Sequence, residues 1–493
     1  MAHGHCEKSG DGEAIGYIGA HDIRYHVFWL AAVLCGYATL NISPHSAVEG
    51  QLHLLEATSC TKLFYTAERA EKVGVIRSAI KPGGTLNTLL VPTYTEILSS
   101  PRAVTPFPSP PPPLPNRPAL IFHTSGSTGH PKPVPITHGY LAALDCAAHL
   151  PVPLGRTMAF SGLPAGTRLL VGLPLFHLGG AACSLFLALF HGYAYVLHPP
   201  AAAANDVQPF LDALDSKDAD VNAAMLPPSA LEGLVRRGAL AQLARLERVL
   251  TGSGTMAPAT GDALVARGVK MMHVYGSTEA GLVPSLVHPD PQLWRWFEWN
   301  ERYGAVMELV DNNTDGGAYE LVFCSEPQHA PHHPIFHAVP ATSVWRSRDL
   351  FAGHPSEPGL WQFIGRTDDV VVLSTGEKVN PVAMQDALSA HPLLKGALVV
   401  GQGRFRAALL VEPDWSKWNG TADGLVDEIW PAVQAANPKA ESNGRVARDK
   451  ITVVSRGRAF KRADKGSVQR ASTIKEFGGE IDEMYKEERE AEG

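Results

Sequence analysis

The apolar run Ala119-Leu120-Ile121-Phe122 passes directly into His123–Lys132, which reads HTSGSTGHPK. Four apolar residues bounded by turn signals read as a buried strand. The loop after it is built almost wholly from glycine and hydroxyl residues and closes on a lysine. Gly126 and Gly129 can take positive φ and let backbone N–H groups approach an anion. Thr124, Ser125, Ser127 and Thr128 add side-chain donors, and Lys132 adds a compact positive charge suited to phosphate oxygens. The spacing is not the GxxxxGK[ST] of a P-loop. Taken alone, such a loop also suits an ordinary polar turn.

The surroundings of this loop set the fold class. Residues 14–100 alternate short apolar runs with helical patterns: Ile23 to Leu40 reads as a helix entering a strand, and Lys62 to Tyr65 as a further strand. Strand–helix alternation implies an α/β layered domain. Residues 106–118, PFPSPPPPLPNRP, read as a polyproline connector, either a stiff surface loop or an SH3-type ligand. The α/β pattern resumes over 119–285. LARLERVLTGSG reads as helix, strand and glycine turn, and VKMMHVYGSTEAG as a buried strand running into a polar loop. Residues 300–364 are richer in strand patterns, with YELVF and LWQFIG as examples. After Gly365 the chain becomes more charged and shorter-paced, as expected of a small second domain. A chain of 493 residues exceeds what one core normally serves. Its end, GGEIDEMYKEEREAEG, reads as a solvated helix or tail.

Bulk properties exclude several classes. Forty-two basic and 49 acidic residues give a net charge of −7, which argues against a nucleic-acid-binding surface. The most apolar stretch, Leu169 to Leu197, is interrupted by His177, His191 and several glycines. A membrane helix needs about 20 uninterrupted apolar residues, so strand, turn and helix are expected instead. The six cysteines lie far apart without a CxxC pair, so they read as reduced core residues of a cytoplasmic protein rather than a zinc or redox site. The start, MAHGHCEKSGDGE, has no signal-peptide pattern. His3, His5 and Cys6 there could bind a metal, although a frayed terminus is the simpler expectation.

TSGSTGHPK resembles the phosphate loop of the adenylate-forming superfamily: acyl-CoA ligases, luciferases and the adenylation domains of peptide synthetases. Further motifs follow in the family's order. They are PLFHLG at 174–179, GSGTM at 252–256, YGSTE at 275–279, SRDL at 347–350, GRTDD at 365–369, STGEKVNP at 374–381 and KGSVQR at 465–470. The wording is most similar to adenylation domains of fungal carboxylic acid reductase-like enzymes. The resemblance implies an α/β fold with a large N-terminal domain, residues 1–365, of layered α/β subdomains plus a β-barrel-like subdomain. A small mobile α+β C-terminal domain, residues 366–493, would carry the catalytic lysine.

It also implies a chemistry, ATP-dependent activation of a carboxylic acid as acyl-AMP with release of pyrophosphate. Thr124, Ser125, Gly126, Ser127, Thr128, Gly129 and Lys132 would grip the phosphates. Gly252, Ser253 and Gly254 would form the turn of the adenine pocket, beside Tyr275, Gly276 and Ser277, with the Tyr275 ring either stacked on adenine or packed in the core. Thr278 would bond the α-phosphate. Glu279 would hold Mg²⁺, a hard cation that prefers oxygen ligands. Asp349 would accept from the ribose hydroxyls, with a surface salt bridge as the alternative, and Arg366 would support the same ribose or the phosphate. Lys465 would meet charge that develops only in the transition state. Here the run is FKRADKGSVQR, in which Asp464 stands where the family has Gly and Lys461 where it often has Pro. Lys461 is the alternative lysine. Asp368 matches the family's domain pivot.

His177 stands where α-amino-acid-activating domains carry an Asp that pairs with the substrate amine. An imidazole there suits an aryl or alkyl acid without an amine. A core histidine is the competing expectation. Met225 and Pro227 are further pocket candidates. The expected acyl acceptor is CoA or a separate phosphopantetheine carrier protein, since neither a GxDS-type carrier serine nor a GxGxxG reductase fingerprint follows the lysine motif. Relatives carry a further segment before the region matching Ile15. That difference and the altered lysine loop leave a second expectation, a homologue that binds nucleotide or acyl-adenylate without turnover.

Overall fold

A computed structural model describes residues 12–100, 114–125, 131–198, 206–311, 317–375, 378–437, 444–462 and 468–486. These form two units. The first comprises the chain up to Ser253 with Arg267–Ala305 and Phe323–Trp345. The second comprises Gly254–Ala266, Val306–Val322 and the chain from Arg346 onward. The units are therefore interleaved in sequence.

The first unit begins with β1 (Ala14–Ile18), α1 (Arg24–Leu34), β2 (Ala38–Asn41), α2 (Val48–Ala57), β3 (Lys62–Tyr65), α3 (Ala70–Ser78) and β4 (Asn87–Leu90). After α4 (Tyr94–Ser99) come β5 (Pro118–Ser125), β6 (Pro131–Thr137) and α5 (His138–Ala148). The strands form one sheet in the order β4-β3-β1-β2-β5-β6, parallel except for the antiparallel β5–β6 pair. Alternate residues explain its burial on both faces. Ile15, Tyr17, Leu120 and Phe122 pack into one core with Phe28 and Trp29 of α1 and Tyr140 and Leu144 of α5. Ala14, Ile18, Leu40 and Ile121 pack into another with Leu54 of α2 and Val73 and Ile76 of α3. This is why the run before the hydroxyl-rich loop is apolar at every position rather than at every second one.

A second sheet contains β7 (Arg168–Val171), β8 (Ala194–Val196), β9 (Ala223–Leu226), β10 (Arg248–Thr251) and β11 (Met271–His273), in the order β11-β10-β9-β7-β8. Every pairing in it is parallel. Leu169, Val171, Met225, Leu250 and Met272 share one core, while their neighbours Leu170, Ala224 and Val249 are buried on the other face. The expected polar loop after Tyr275 is in fact a tight hairpin, β12 (Gly276–Ser277) with β13 (Gly281–Leu282). β14 (Ser285–Leu286) and β15 (Phe297–Trp299) make a further antiparallel pair.

In the second unit, β16 (Ala305–Asp311), β17 (Ala318–Cys324), β18 (Val344–Gly353) and β19 (Leu360–Arg366) lie in the order β19-β18-β17-β16. The short pair β20 (Val371–Val372) and β21 (Lys378–Val379) precedes a three-stranded sheet of β22 (Leu394–Val400), β23 (Ala408–Pro413) and β24 (Ile451–Val453). Here too alternate residues serve two cores. Ala397, Val399, Leu409 and Val411 face helices Val382–Ser389 and Ala422–Ala436, and Leu398, Val400, Ala408 and Leu410 face Phe477, Ile481 and Tyr485.

Most of the proline-rich stretch and the terminal histidines lie outside the described residues. Of the cysteines, Cys60 and Cys183 are buried as expected, but Cys146 is exposed on the outer face of α5. Among the described residues no helix is long and apolar enough to cross a membrane.

The first unit also buries a histidine cluster. His26 on α1 shares a 2.9 Å hydrogen bond with the Ser184 hydroxyl, and His21 stacks on His198 at 4.7 Å. Burial pushes His26 down to about 4, with Asp22 opposing, and burial plus His198 and His26 pushes His21 down to about 3. Both rings are neutral when folded but protonate near pH 6.5 when unfolded. Stability is therefore complete above pH 6.5 and falls as pH drops toward 4, by about 1.4 kcal/mol per pH unit for each buried ring. Urea midpoints measured at pH 7.5 and pH 5 should differ accordingly, and His26→Asn should flatten the slope. Equal midpoints at the two pH values contradict this account.

Candidate active site

Four of the sequence-predicted segments sit at the C-terminal ends of neighbouring parallel strands. The 174–179 segment follows β7, Pro227 follows β9, Gly252 and Ser253 follow β10, and Tyr275 follows β11. In open parallel sheets, ligands bind in the crevice at this edge. The backbone is shaped for close approach. A Cβ on Gly252 would lie 2.7 Å from the Val274 carbonyl oxygen and 3.4 Å from Met225 Cε. Ser253 holds φ +66°, a left-handed conformation that costs a non-glycine residue about 1–3 kcal/mol and tends to mark functional turns. Its hydroxyl lies 3.8 Å from where a Cβ on Gly179 would stand, which brings this turn beside the 174–179 segment. Met225 itself is a core residue.

Tyr275 is half-buried. Its ring packs edge-on against Phe297 at 6.1 Å and Trp299 at 5.8 Å. Its carbonyl accepts from Val283 N–H at 3.0 Å, so both sides of the β12–β13 hairpin are tied at the base. Glycine is required at 276, where a Cβ would lie 2.5 Å from the Gly281 carbonyl oxygen. The Ser277 hydroxyl accepts from Ala280 N–H at 3.0 Å. Thr278 and Glu279 form the turn, and the Thr278 carbonyl accepts from the Tyr140 hydroxyl at 3.1 Å.

The hydroxyl-rich loop is carried by the β5–β6 pair, in which Thr124 faces Lys132 and Ser125 faces Pro131. Gly126, Ser127, Thr128 and Gly129 lie outside the described residues. Beside the base of this loop is a ring cluster with no sequence signature. Buried His123 accepts from Ser43 N–H at 3.3 Å, and its ring lies 6.3 Å from that of His177. Phe176 stands 4.8 Å from His177 and 5.8 Å from His45. His177 is half-buried at the start of helix Leu178–Ala181, among aromatic rings.

In the second unit, Asp349 on β18 stands opposite Arg366 on β19. Arg366 donates to its carboxylate at 2.6 Å, and the Asp349 side chain is only 10% exposed. Asp349 N–H donates to the Ser347 hydroxyl at 3.0 Å. Arg348 between them holds φ +62°, with its N–H donating to Glu320 at 2.9 Å and its guanidinium 3.4 Å from Asp368. That local twist points successive side chains of 347–349 to separate partners. Gly254 follows Ser253 in the chain and is exposed. Lys465 lies outside the described residues, but the base of its loop is described. Arg462 and Val468 form an antiparallel bridge, and Gln469 N–H donates to the Lys461 carbonyl at 2.7 Å. Arg462 is paired with Glu412, and Arg470 donates to the Val399 carbonyl at 2.5 Å. Lys461 is exposed, 3.9 Å from Glu476.

The donor set fits a magnesium ion brought by a polyphosphate. Among the described residues Glu279 makes no hydrogen bond or ion pair, and its half-buried carboxylate would supply one hard oxygen ligand. Phosphate oxygens and water would complete the shell. No cluster of three protein ligands exists among the described residues.

The chain was compared with known proteins. The family model described as AMP-binding enzyme matches residues 8–310, and that of the AMP-binding enzyme C-terminal domain matches 368–489. A carboxylic acid reductase of Neurospora crassa is 32% identical over 492 residues, covering 96% of this chain and 44% of its own. The adenylate-forming reductase Nps11 of Serpula lacrymans is 28% identical, covering 96% and 44%. The chain thus spans less than half the length of these curated relatives. The crystal structure of the anthranilate CoA ligase AuaEII in complex with anthranoyl-AMP superposes with a TM-score of 0.72 at 17% identity, covering 94% of this chain and 87% of that one. It shares the mixed α/β fold, with its large N-terminal and smaller C-terminal domains. With a family match over more than half its length, this chain belongs to the AMP-binding enzymes, the adenylate-forming family.

Proposed function

We propose that this chain activates a carboxylic acid with ATP. A carboxylate oxygen attacks the α-phosphorus, the bond from that phosphorus to the β-phosphate oxygen breaks, and pyrophosphate leaves as acyl-AMP forms. The observation that carries this reading is the row of glycine-shaped turns at the C-terminal edge of one all-parallel sheet, with a free carboxylate at Glu279. A relative named carboxylic acid reductase supports the acid as substrate. Magnesium, when bound, would offset phosphate charge and favour departure of pyrophosphate.

The chain's own residues then have separate tasks. Thr124–Lys132 grips the phosphates through backbone N–H groups, hydroxyls and one ammonium. Thr278 bonds the α-phosphate, and Glu279 holds the metal. Tyr275 stacks its ring on adenine. Asp349, with one oxygen engaged by Arg366, accepts the ribose hydroxyls with its remaining lone pairs. Lys465 neutralises charge on the carboxylate and α-phosphate as the new bond forms. His177, ringed by Phe176 and His123, contacts an aryl or alkyl acid without an amine. The acyl group then passes to a thiol, of CoA or of a phosphopantetheine carrier. The sulfur attacks the acyl carbon and AMP departs with the electron pair of the broken C–O bond.

Acid-dependent exchange of labelled pyrophosphate into ATP tests the first step, across aryl, alkyl and amino acids. Exchange is expected with aryl or alkyl acids, and Lys465→Ala should lower it on the order of 10²–10³-fold. Exchange unchanged by that substitution would remove Lys465 from the chemistry. ATP binding without exchange for any acid would instead establish a nucleotide-binding homologue. Asp349→Asn should raise the KM for ATP about tenfold with a smaller change in kcat, since a charge-assisted hydrogen bond contributes about 1.5–3 kcal/mol. Gly252→Ala should lower exchange and melting temperature together, because its methyl would meet backbone at 2.7 Å.

A further inference from the structure

The phenolic hydroxyl of Tyr140 donates to the backbone carbonyl of Thr278 at 3.1 Å, across 138 residues of sequence. Tyr140 is fully buried. It lies in the first turn of α5, and its own N–H donates to the Thr137 hydroxyl that caps this helix, at 3.1 Å. α5 follows β6 without a connecting loop, and β6 is the strand that carries Lys132. One rigid stretch of chain therefore joins the base of the hydroxyl-rich loop to the Thr278–Glu279 turn.

The turn is shaped to receive this hydroxyl. Gly281, which closes the hairpin, holds φ +72°, and a Cβ there would lie 3.1 Å from Tyr140 Oη. Burial holds the Tyr140 phenol well above its ordinary value, and Tyr303 and then Glu279 add to that, so the hydroxyl keeps its proton and remains a donor. Glu279 has no partner of its own among the described residues, so its position is set by the backbone on which it stands.

We propose that Tyr140 is a positioning residue: its hydroxyl anchors the Thr278 carbonyl and thereby fixes where Glu279 presents its carboxylate to the metal. The inference rests on the proposed role of Glu279 in holding Mg²⁺. It predicts a specific defect. Removing one oxygen atom leaves the ring packing intact but lets the turn drift, and the loss falls on metal-dependent nucleotide binding.

The test is calorimetric titration of ATP into the whole protein over a series of Mg²⁺ concentrations, with Tyr140→Phe, Tyr17→Phe and Glu279→Gln. Tyr17→Phe is the control. It removes the same atom from another fully buried ring of the same unit, whose hydroxyl makes no hydrogen bond among the described residues. Tyr140→Phe should need about 5- to 10-fold more Mg²⁺ for half-maximal ATP binding, the effect of losing one hydrogen bond. It should approach wild-type affinity at saturating Mg²⁺. Tyr17→Phe should match wild type, and Glu279→Gln should lose most of the Mg²⁺ dependence. A Tyr140→Phe curve identical to wild type, or equal shifts in both tyrosine variants, overturns the inference. Wild-type ATP binding that ignores Mg²⁺ overturns it together with the role of Glu279. Mg²⁺-dependent binding that follows the expected pattern, with no pyrophosphate exchange for any acid, overturns acid activation and leaves Tyr140 in place.

Discussion

A parallel strand buried on both faces has room for polar chemistry only at its ends. That constraint organises the first unit. Leu169 to Val171, Ala223 to Leu226 and Val249 to Leu250 are buried along their whole length, so their residues serve packing alone. Polar and flexible residues begin where each strand stops: Ser253 after β10, Tyr275 after β11, His177 a few residues after β7. Parallel pairing then places those ends along one edge, and segments about a hundred residues apart become neighbours without any attraction between them. The same rule explains the run before the phosphate loop. β5 is an interior strand of its sheet, covered on both faces, so Ala119 to Phe122 are apolar throughout and the change to HTSGSTGHPK is abrupt.

Glycine does much of the remaining work. Gly252 and Gly276 both stand where a methyl would meet backbone within 2.7 Å, so they are fixed by contact between strands rather than by flexibility. Ser253 and Arg348 do the converse, keeping side chains in left-handed backbone where glycine would be easier. Each sits inside a motif singled out for nucleotide contact. Keeping a side chain at such a position costs about 1–3 kcal/mol, which makes sense where the side chain or the turn itself is needed.

What was legible in the sequence was local. Strand ends, glycine turns and the strings HTSGSTGHPK, YGSTE and SRDL could be read because each is a short pattern whose chemistry lies within a few residues. A salt bridge at Asp349 was readable only as the alternative to a ribose contact, and its partner was not legible, because Arg366 reaches it through strand register, 17 residues away. Tyr140 was not legible either. In sequence it is one more apolar-side residue of a helix, and its partner is a backbone carbonyl, which leaves no trace in side-chain identity. His45 and His123 join Phe176 and His177 only through the folding of three separate segments. The hairpin at 276–282 was read as a loop because strands of two residues give no periodicity.

Asp368 raises a question of energy. The resemblance makes it the expected pivot, yet Arg348 holds it at 3.4 Å and Arg366 at 3.8 Å. A pivot must release such contacts when it turns. Both are loose, with Arg348 61% and Asp368 49% exposed, and exposed pairs contribute about 0.2–1 kcal/mol each. Breaking the two therefore costs no more than about 2 kcal/mol, which thermal motion crosses readily. The Arg366–Asp349 contact is different: short and direct, with the Asp349 side chain only 10% exposed. Arg366 thus has one firm partner, in the strand pair that would hold ribose, and one loose partner at the pivot. If the chain does turn at Asp368, this asymmetry lets the pivot move while the nucleoside contact stays in register, because the two strands that carry it are joined by their own ladder and not by the residue that rotates.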